Sequence, residues 1–276
     1  MRVDLHCHST ASDGALEPAA VVERAAARGV DVLALTDHDQ LDGLAEAREA
    51  AHAARIKFVD GVEISVSWRG TTLHVLGLRV DPTSELLVDG LRTVRAGRLE
   101  RARDMARSLD EVGIAGSFEG ALQQAEDPAM VGRTHFARYL VEIGAVPDVR
   151  GAFRRYLVPG KPGFVPHRWA ALGEALGWIR AAGGHAVLAH PGRYGLSAGA
   201  MDELLREFCG GGGEGIEVVT GSHSPDQYGL FAALATHHGL AASRGSDFHG
   251  PAEGVELGGL PALDPRLRPI WQGWGP

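Results

Sequence analysis

Two histidines, His6 and His8, stand one residue apart near the start of the sequence, in a short apolar segment. Side chains two residues apart in a strand point to the same face, so the two imidazoles would share one face. Neutral imidazole is a common ligand of zinc, iron, manganese and related divalent ions. The pair therefore predicts a metal site. Cys7, between them, is expected to point to the opposite face as a small core residue, although its thiolate could also bind metal.

Further histidines and acids recur along the chain, mostly where an apolar, strand-like run stops. In parallel α/β architectures the carboxyl ends of the strands meet at one edge, where functional side chains gather. Buried acids at such positions need a partner that offsets their desolvation. Two of these residues could have a structural role instead of binding metal. Asp13 could form an Asp-Gly turn or helix cap, and His74 could be a core histidine. The candidate metal ligands are His6, His8, Asp13, His38, Glu63, His74, His190, Asp247 and His249.

The elements that must position these residues are strands that alternate with helices. Such alternation implies parallel pairing and right-handed crossovers, so the sequence predicts an α/β fold of the barrel type. Seven strands are predicted at residues 3–7, 31–36, 57–64, 72–80, 185–189, 215–220 and 240–245. Helices between them are predicted at residues 18–28, 41–54, 171–182, 200–208 and 225–238.

The middle of the chain, residues 84–167, breaks this alternation and contains only helical patterns. We interpret it as an α-helical insertion packed over the mouth of a barrel whose two parts are residues 1–83 and 168–276. The alternative is a helical subdomain with no role in the site. Its Arg-rich stretch, residues 92–107, is expected to be a solvated face, with contact to RNA as the weaker alternative. The tail, residues 250–276, is expected to be irregular.

Composition restricts the class of protein. The chain has 276 residues, 45% hydrophobic and 22% charged, which is ordinary for a soluble globular protein. A net charge of −8 disfavours long duplex DNA as a partner. Two distant cysteines argue against a disulfide framework and fit the cytoplasm. No apolar run approaches the roughly 20 residues of a membrane span, and the first strand leaves no room for a signal peptide.

Five motifs together resemble the PHP (polymerase and histidinol phosphatase) family of metal-dependent phosphoesterases. Three further segments, residues 132–137, 159–162 and 189–193, resemble the branch that removes phosphate from 3′,5′-nucleoside bisphosphates, which also includes 5′→3′ exonucleases of short RNA. The resemblance implies a distorted (β/α)7 TIM-like barrel. The five motifs are His6-Cys7-His8-Ser9 with Asp13-Gly14, Thr36-Asp37-His38-Asp39, Gly61-Val62-Glu63-Ile64-Ser65, His190-Pro191 and Ser246-Asp247-Phe248-His249.

The resemblance also implies up to three divalent metals per chain. Many relatives have a histidine at the position of Asp13, and a carboxylate there would favour Mn²⁺ most, with Fe²⁺, Mg²⁺ or Zn²⁺ as alternatives. Asp37 and Asp39 would orient His38 and nearby water. The implied ligand sets are His6, His8, Glu63 and Asp247 for one ion, Glu63, His74 and His190 for a second, and Asp13, His38 and His249 for a third.

The expected reaction is hydrolysis of the 3′-phosphate of a 3′,5′-nucleoside bisphosphate by a hydroxide that bridges two metals. The catalytic residues would be Asp13, His38, Glu63, His190 and Asp247. Substrate phosphate would contact Arg133, His135, Lys161 and Arg193, unless these are ordinary surface charges. Three alternatives stay open: a 5′→3′ exoribonuclease acting on short 5′-phosphorylated RNA, a histidinol phosphate phosphatase, or a metal-binding scaffold without activity.

Overall fold

The computed structural model describes residues 1–274, so the last two residues of the predicted irregular tail lie outside it. Within this range the strands are β1 (Val3–Asp4), β2 (Val32–Leu35), β3 (Lys57–Trp68), β4 (Thr71–Leu78), β5 (Ala170–Ala171), β6 (His185–Leu188), β7 (Gly215–Thr220) and β8 (Ala241–Gly245). The α-helices are α1 (Pro18–Ala27), α2 (Leu44–Ala54), α3 (Glu85–Arg95), α4 (Arg98–Asp110), α5 (Ser117–Gln123), α6 (Arg133–Glu142), α7 (Val149–Ala152), α8 (Leu172–Ala181), α9 (Ala198–Gly210) and α10 (Pro225–His238).

Seven strands form the barrel, in the order β1-β2-β3-β4-β6-β7-β8. Backbone hydrogen bonds join the two ends of this sheet. The N–H of Leu5 donates to the carbonyl of Arg244 at 3.1 Å, and the N–H of Asp247 donates to the carbonyl of His6 at 2.8 Å. The predicted seven-stranded α/β barrel is therefore confirmed. The two-residue strand β5, which the sequence did not predict, lies outside this order and pairs with β3.

The direction of β4 differs from the prediction. We expected parallel pairing throughout, but β4 is antiparallel to both β3 and β6. The cause is local: only Arg69 and Gly70 separate β3 from β4, and both have positive φ, 46° and 81°, as in the two-residue turns that join antiparallel strands. The reversal brings the amino-terminal half of β4 to the carboxyl ends of its neighbours. His74, opposite Ser65 of β3, thereby reaches the barrel rim from within a strand.

Among the described residues the buried apolar side chains form five clusters, the largest of which packs the outer helices against the barrel. Small and branched side chains such as Leu5, Leu76 and Val187 fill the barrel and are completely buried. Helices α4 to α7 enclose a second core that includes Phe136 and Leu140. The helical content of residues 84–167 agrees with the sequence pattern, whereas the exact limits of the insertion stay a prediction. No helix within residues 1–274 is long and apolar enough to cross a membrane.

Gly245, the last residue of β8, permits the close approach that closes the barrel. A Cβ at this position would lie 2.2 Å from the Cβ of His6 and 2.7 Å from its backbone nitrogen. We expect Gly245→Ala to lower the free energy of unfolding by about 1–3 kcal/mol, because the added methyl group must displace His6. Denaturant unfolding measures the loss.

The matched control is Gly177→Ala in α8, where an added Cβ meets nothing within 4 Å. That change should leave stability equal or raise it by about 0.5–1 kcal/mol, because alanine is the better helix former. Equal stability of the two variants would contradict the proposed role of Gly245.

Candidate metal centre

All nine candidate ligands lie at one end of the barrel, and each has a donor atom within 3.9 Å of a donor atom of another. The backbone explains the convergence. His6 and His8 follow β1, where the intervening Cys7 pairs with Phe248 beyond β8. His38, beyond β2, pairs with Glu63 in β3. The outward-facing Cys7 is completely buried in the surrounding core, as expected.

The first group of donor atoms has the dimensions of a coordination shell. The Nε2 atoms of His6 and His8 lie 3.2 Å apart, and each is 3.3 Å from Oε2 of Glu63. Oδ1 of Asp247 lies 3.4 Å from the first nitrogen and 3.3 Å from the second. A tetrahedron with metal–ligand distances of about 2.0–2.1 Å has edges of about 3.3–3.4 Å. The four side chains therefore surround a space of the size of a metal ion.

Glu63 extends this group into a second one. Its other oxygen, Oε1, lies 2.8 Å from Nδ1 of His74 and 2.8 Å from Nε2 of His190. One carboxylate thus presents one oxygen to each group. This is the arrangement expected of a bridging ligand.

Asp13 forms the centre of a third group. Its Oδ1 lies 3.4 Å from Nε2 of His249, 3.8 Å from Nε2 of His38 and 3.9 Å from Nδ1 of His8. These distances are longer than in the first group. A cation larger than zinc, or one with additional ligands, fits this more open set.

Several of these atoms are buried without a hydrogen-bond partner among residues 1–274: Oδ1 of Asp13, Oε2 of Glu63, and Nδ1 of His8, His38 and His190. An unpartnered buried polar group costs about 1–3 kcal/mol. The unpartnered oxygens of Asp13 and Glu63 both face imidazole nitrogens across the spaces described above. A mixed set of imidazole and carboxylate donors suits Mn²⁺, Fe²⁺ or Zn²⁺, so the residues fit the metals that the sequence predicts.

The acids of the cluster are ionised. Burial alone would raise the pKa of Glu63, but the facing imidazoles of His74, His38 and His6 hold that pKa well below its usual range. The pKa values of Asp13 and Asp247 are likewise well below the ordinary value, because neighbouring histidines outweigh the effect of burial. These carboxylates are therefore in the form that binds cations.

The histidines divide into two kinds. Burial lowers the pKa of His38 well below its usual value and that of His190 to about 4, so both imidazoles are neutral. Burial opposes protonation of His6 and His249 too, but Glu217 raises the pKa of His6 well above the ordinary value and Asp13 raises that of His249 to about 9. Metal binding would displace the protons from these two rings.

Glu217, in β7, supports the cluster from behind and was missed in the sequence. It is completely buried, and its Oε1 lies 3.0 Å from Nδ1 of His6 while its Oε2 accepts the backbone N–H of His190 at 2.7 Å. A carboxylate that holds the far nitrogen of a ligating imidazole fixes the ring and its tautomer. The available signal was an acid in the middle of the apolar run Gly215–Thr220.

The side chains of Asp37 and Asp39 accept hydrogen bonds from segments other than His38. Asp37 accepts hydrogen bonds from the backbone and hydroxyl of Ser9 and from the hydroxyl of Ser12, so it fixes the loop that carries Asp13. Asp39 accepts hydrogen bonds from the backbone and hydroxyl of Ser65, at 2.7 and 2.8 Å, and from the guanidinium of Arg98.

A cavity lies over the cluster, and the four predicted phosphate contacts differ in their relation to it. Arg133 and Arg193 line the cavity, and Nη1 of Arg193 donates to Oδ2 of Asp247 at 2.9 Å. His135 is buried behind the wall, where its Nδ1 accepts the backbone N–H of Gly132 at 3.0 Å. Lys161 is exposed and is not among the lining residues.

Two arginines of α4 line the same cavity, which corrects the expectation of a solvated face. Arg98 and Arg101 are buried, at 7% and 9% exposure, and fall on the same helix face as Met105. Arg98 pairs with Asp39, and both guanidinium groups lie over the ring of Trp169, at 4.9 and 5.3 Å. The expectation of a solvated face is wrong for these two residues, because they lie on the buried face of α4.

The cavity arginines crowd one another. Burial and the nearby charges of Arg133 and Arg98 lower the pKa of Arg101 to about 9. Burial, Arg193 and Arg98 lower the pKa of Arg133 to about 10. Positive charges brought this close, above a rim of metal ligands, favour a multiply charged anion in the cavity.

An α/β barrel whose rim carries clustered imidazoles and carboxylates defines a class of metal-binding proteins. Residues 4–185 match the PHP domain family, and the chain belongs to it. The resemblance inferred from the motifs is thereby confirmed.

Two curated proteins and a solved structure are similar over almost the whole chain. A 3′,5′-nucleoside bisphosphate phosphatase from Chromobacterium violaceum is 54% identical, with 98% of this chain and 95% of that protein covered. A 5′-3′ exoribonuclease from Haemophilus influenzae is 42% identical, with 98% of each chain covered. A structure described as an amidohydrolase from Chromobacterium violaceum, with bound sulfate and no metal, has a TM-score of 0.96 at 54% identity and covers 99% of this chain and 95% of that one.

Replacement of Glu217 by glutamine tests its contact with the cluster. The carboxylate accepts one hydrogen bond with each oxygen, whereas glutamine would turn an NH₂ group toward either His6 or the backbone N–H of His190. We expect Glu217→Gln to weaken metal binding by about 10–100-fold. Elemental analysis after dialysis against graded chelator concentrations measures the change.

Glu214→Gln is the matched control, because Glu214 lies nearby in the chain but pairs with the partly exposed His185 at 2.9 Å, away from the cluster. Its metal content should follow that of the unaltered chain. Retention of metal by Glu217→Gln at the same chelator concentrations would contradict the assigned role.

Proposed function

We propose that this protein hydrolyses the 3′-phosphate of 3′,5′-nucleoside bisphosphates and releases a 5′-nucleotide and inorganic phosphate. The observation that carries the proposal is the placement of the metal-ligand cluster and of Arg98, Arg101, Arg133 and Arg193 around one cavity. The 54% identity to a phosphatase of this specificity supports the choice of substrate.

Electrostatics favours such a substrate. Each phosphomonoester carries about −1.5 to −2 charges at neutral pH, so a bisphosphate brings about −3 to −4. One phosphate would lie at the cluster, where the reaction takes place. The other would lie among the arginines. Arg98 and Arg193 pair with Asp39 and Asp247, whereas Arg101 lies over Trp169 and donates to the carbonyl of Val165, so the positive charge of the group exceeds the paired negative charge. Planar guanidinium groups match phosphate oxygens in geometry.

The cluster would hold three divalent ions, with Mn²⁺ as the preferred metal. When bound, the ions act as Lewis acids that neutralise the phosphate and activate water. Glu63 would join two of the sites, and Asp13 would provide the carboxylate of the third. The proposed ligand sets are His6, His8, Glu63 and Asp247; Glu63, His74 and His190; and Asp13, His38 and His249.

The chain's own groups orient the reacting phosphate. Arg193 contacts Oδ2 of Asp247, so its guanidinium is anchored beside the cluster and can contact a phosphate oxygen there. Arg133, the first residue of α6, lines the same cavity and would bind the second phosphate. The assignments of His135 and Lys161 to substrate binding stay predictions, since neither lines the cavity.

Exonucleolytic removal of 5′-terminal nucleotides from short RNA is the second candidate. It is favoured by the relative from Haemophilus influenzae, which covers 98% of this chain at 42% identity. Both activities use the same recognition chemistry, since a 5′-phosphate bound by arginines would place the adjoining 3′-phosphate at the metals. The proposed location is the cytoplasm, which both free cysteines support.

The choice of substrate is testable by phosphate release. In the presence of Mn²⁺ we expect adenosine 3′,5′-bisphosphate to give adenosine 5′-monophosphate and phosphate faster than histidinol phosphate reacts. Adenosine 3′-monophosphate, which lacks the second phosphate, should react with a raised KM. Nucleotide release from short 5′-phosphorylated RNA, measured in parallel, identifies the exoribonuclease alternative.

The variant Asp247→Asn should be inactive and tests the metal-ligand cluster. The change removes one negative charge from the first ligand group, while asparagine keeps the size and shape of the aspartate side chain. It should lower kcat by on the order of 100-fold or more. Asp89→Asn, in an exposed pair with Arg92, should leave kcat unchanged. A metal-loaded chain that hydrolyses none of the substrates would support the scaffold alternative and refute the proposal.

Arg133→Ala tests the second phosphate site. Loss of a charge-assisted contact should lower kcat/KM for the bisphosphate by about 10–100-fold, chiefly through KM. Adenosine 3′-monophosphate should be little affected, because it has no group for this site. Arg150→Ala, at an exposed position of α7, is the control. An unchanged KM for the bisphosphate would remove Arg133 from the binding site.

A further inference from the structure

We propose a fourth metal site, on the outside of the barrel, formed by Asp202 of α9 and by His237 and His238 of α10. One donor atom of each residue lies within 4.8 Å of the other two. None of these residues belongs to the cluster at the barrel rim. The site would bind a transition-metal ion such as Zn²⁺ and would join the consecutive helices α9 and α10, which flank β7 in the sequence.

The contact between Asp202 and His238 has the spacing of two ligands on one ion. Oδ1 of the acid lies 3.2 Å from Nε2 of the histidine, close to the edge of about 3.3–3.4 Å expected for tetrahedral coordination. The rings of His237 and His238 are nearly perpendicular, with centroids 4.9 Å apart. Neighbouring histidines at a helix end can therefore approach one ion from two directions.

The buried nitrogen of His238 is the second observation that indicates a ligand. Its side chain is only 8% exposed, and among the residues that the structure describes Nε2 has no hydrogen-bond partner of acceptable geometry. The nitrogen faces Oδ1 of Asp202 and is shielded from water. A cation between the two atoms would satisfy both, whereas a simple hydrogen bond does not form in this geometry.

A hydrogen bond from Arg206 orients the carboxylate of Asp202 for metal binding. Nε of Arg206 donates to Oδ2 of Asp202 at 3.0 Å and leaves Oδ1 directed at the imidazole. The two histidines also lie in the last turn of α10, where the helix dipole favours positive charge. Two imidazoles and one carboxylate, with water as the fourth ligand, form a set that suits Zn²⁺, Ni²⁺ or Cu²⁺ better than Mg²⁺ or Ca²⁺.

The exposed ring of His237 allows a test that does not depend on the metals of the rim. Chain saturated with Mn²⁺ is titrated with Zn²⁺, and modification of each histidine by diethyl pyrocarbonate is measured by peptide mass spectrometry. We expect Zn²⁺ to slow the modification of His237. His52, exposed in α2, is the internal reference and should react at the same rate throughout.

Variants of the two other ligands test whether the protection comes from this site. Asp202→Asn and His238→Gln should each raise the Zn²⁺ concentration that protects His237 by about tenfold or more. Glu203→Gln, the matched control, changes a neighbouring acid that pairs with Arg69 and should leave the titration unchanged. Equal reactivity of His237 with and without Zn²⁺, or protection that survives in both variants, would overturn the proposal.

Discussion

The buried carboxylate of Glu63 determines the organisation of the barrel rim. It has no solvent exposure, yet its two oxygens lie within 3.3 Å of nitrogens from five histidines: His6, His8, His38, His74 and His190. An ionised acid in such a position is tolerated only where positive charge compensates its desolvation. The imidazoles supply part of this charge, and divalent ions would supply more. The surrounding loops, strands and hydrogen bonds serve to keep the donors around this one group.

The hairpin of β3 and β4 is the structural device that makes this possible. Most of the candidate ligands follow the carboxyl ends of parallel strands, and Glu63 lies within the long strand β3. The reversed strand β4 delivers His74 from its fourth position instead. Glu217 positions two further residues of the cluster, since it contacts the side chain of His6 and accepts the backbone N–H of His190. Non-glycine residues with positive φ at His190 and Asp247, 26° and 56°, accompany this tight arrangement.

Much of the fold and most of the cluster could be predicted from the sequence, because both depend on local patterns. Apolar runs that end in histidines or acids reveal strand ends, and the positions of His6, His38 and Asp247 follow from them. The direction of β4 could not be read from its own residues, since it depends on the turn at Arg69 and Gly70. Glu217 was missed because a single acid within an apolar strand gives no information about its partners.

The buried face of α4 and the burial of His135 likewise could not be predicted from local sequence patterns. Arginine at positions 98 and 101 differs from arginine at positions 103 and 107 only in the face that it occupies. Which face is covered depends on contacts between distant segments. The segment containing Arg133 and His135 contributes to the cavity lining, and tertiary packing decides which of its side chains enters the open space.

The side chains around the cavity come from two separately packed parts of the fold. The candidate metal ligands come from the barrel, whereas Arg98, Arg101 and Arg133 come from helices packed around a core of their own. Substitutions within the helical segment would therefore change the charged wall of the cavity and leave the barrel residues in place. Because the helical wall and the barrel rim are packed around different cores, the charge of the wall can vary in sequence without repacking of the rim.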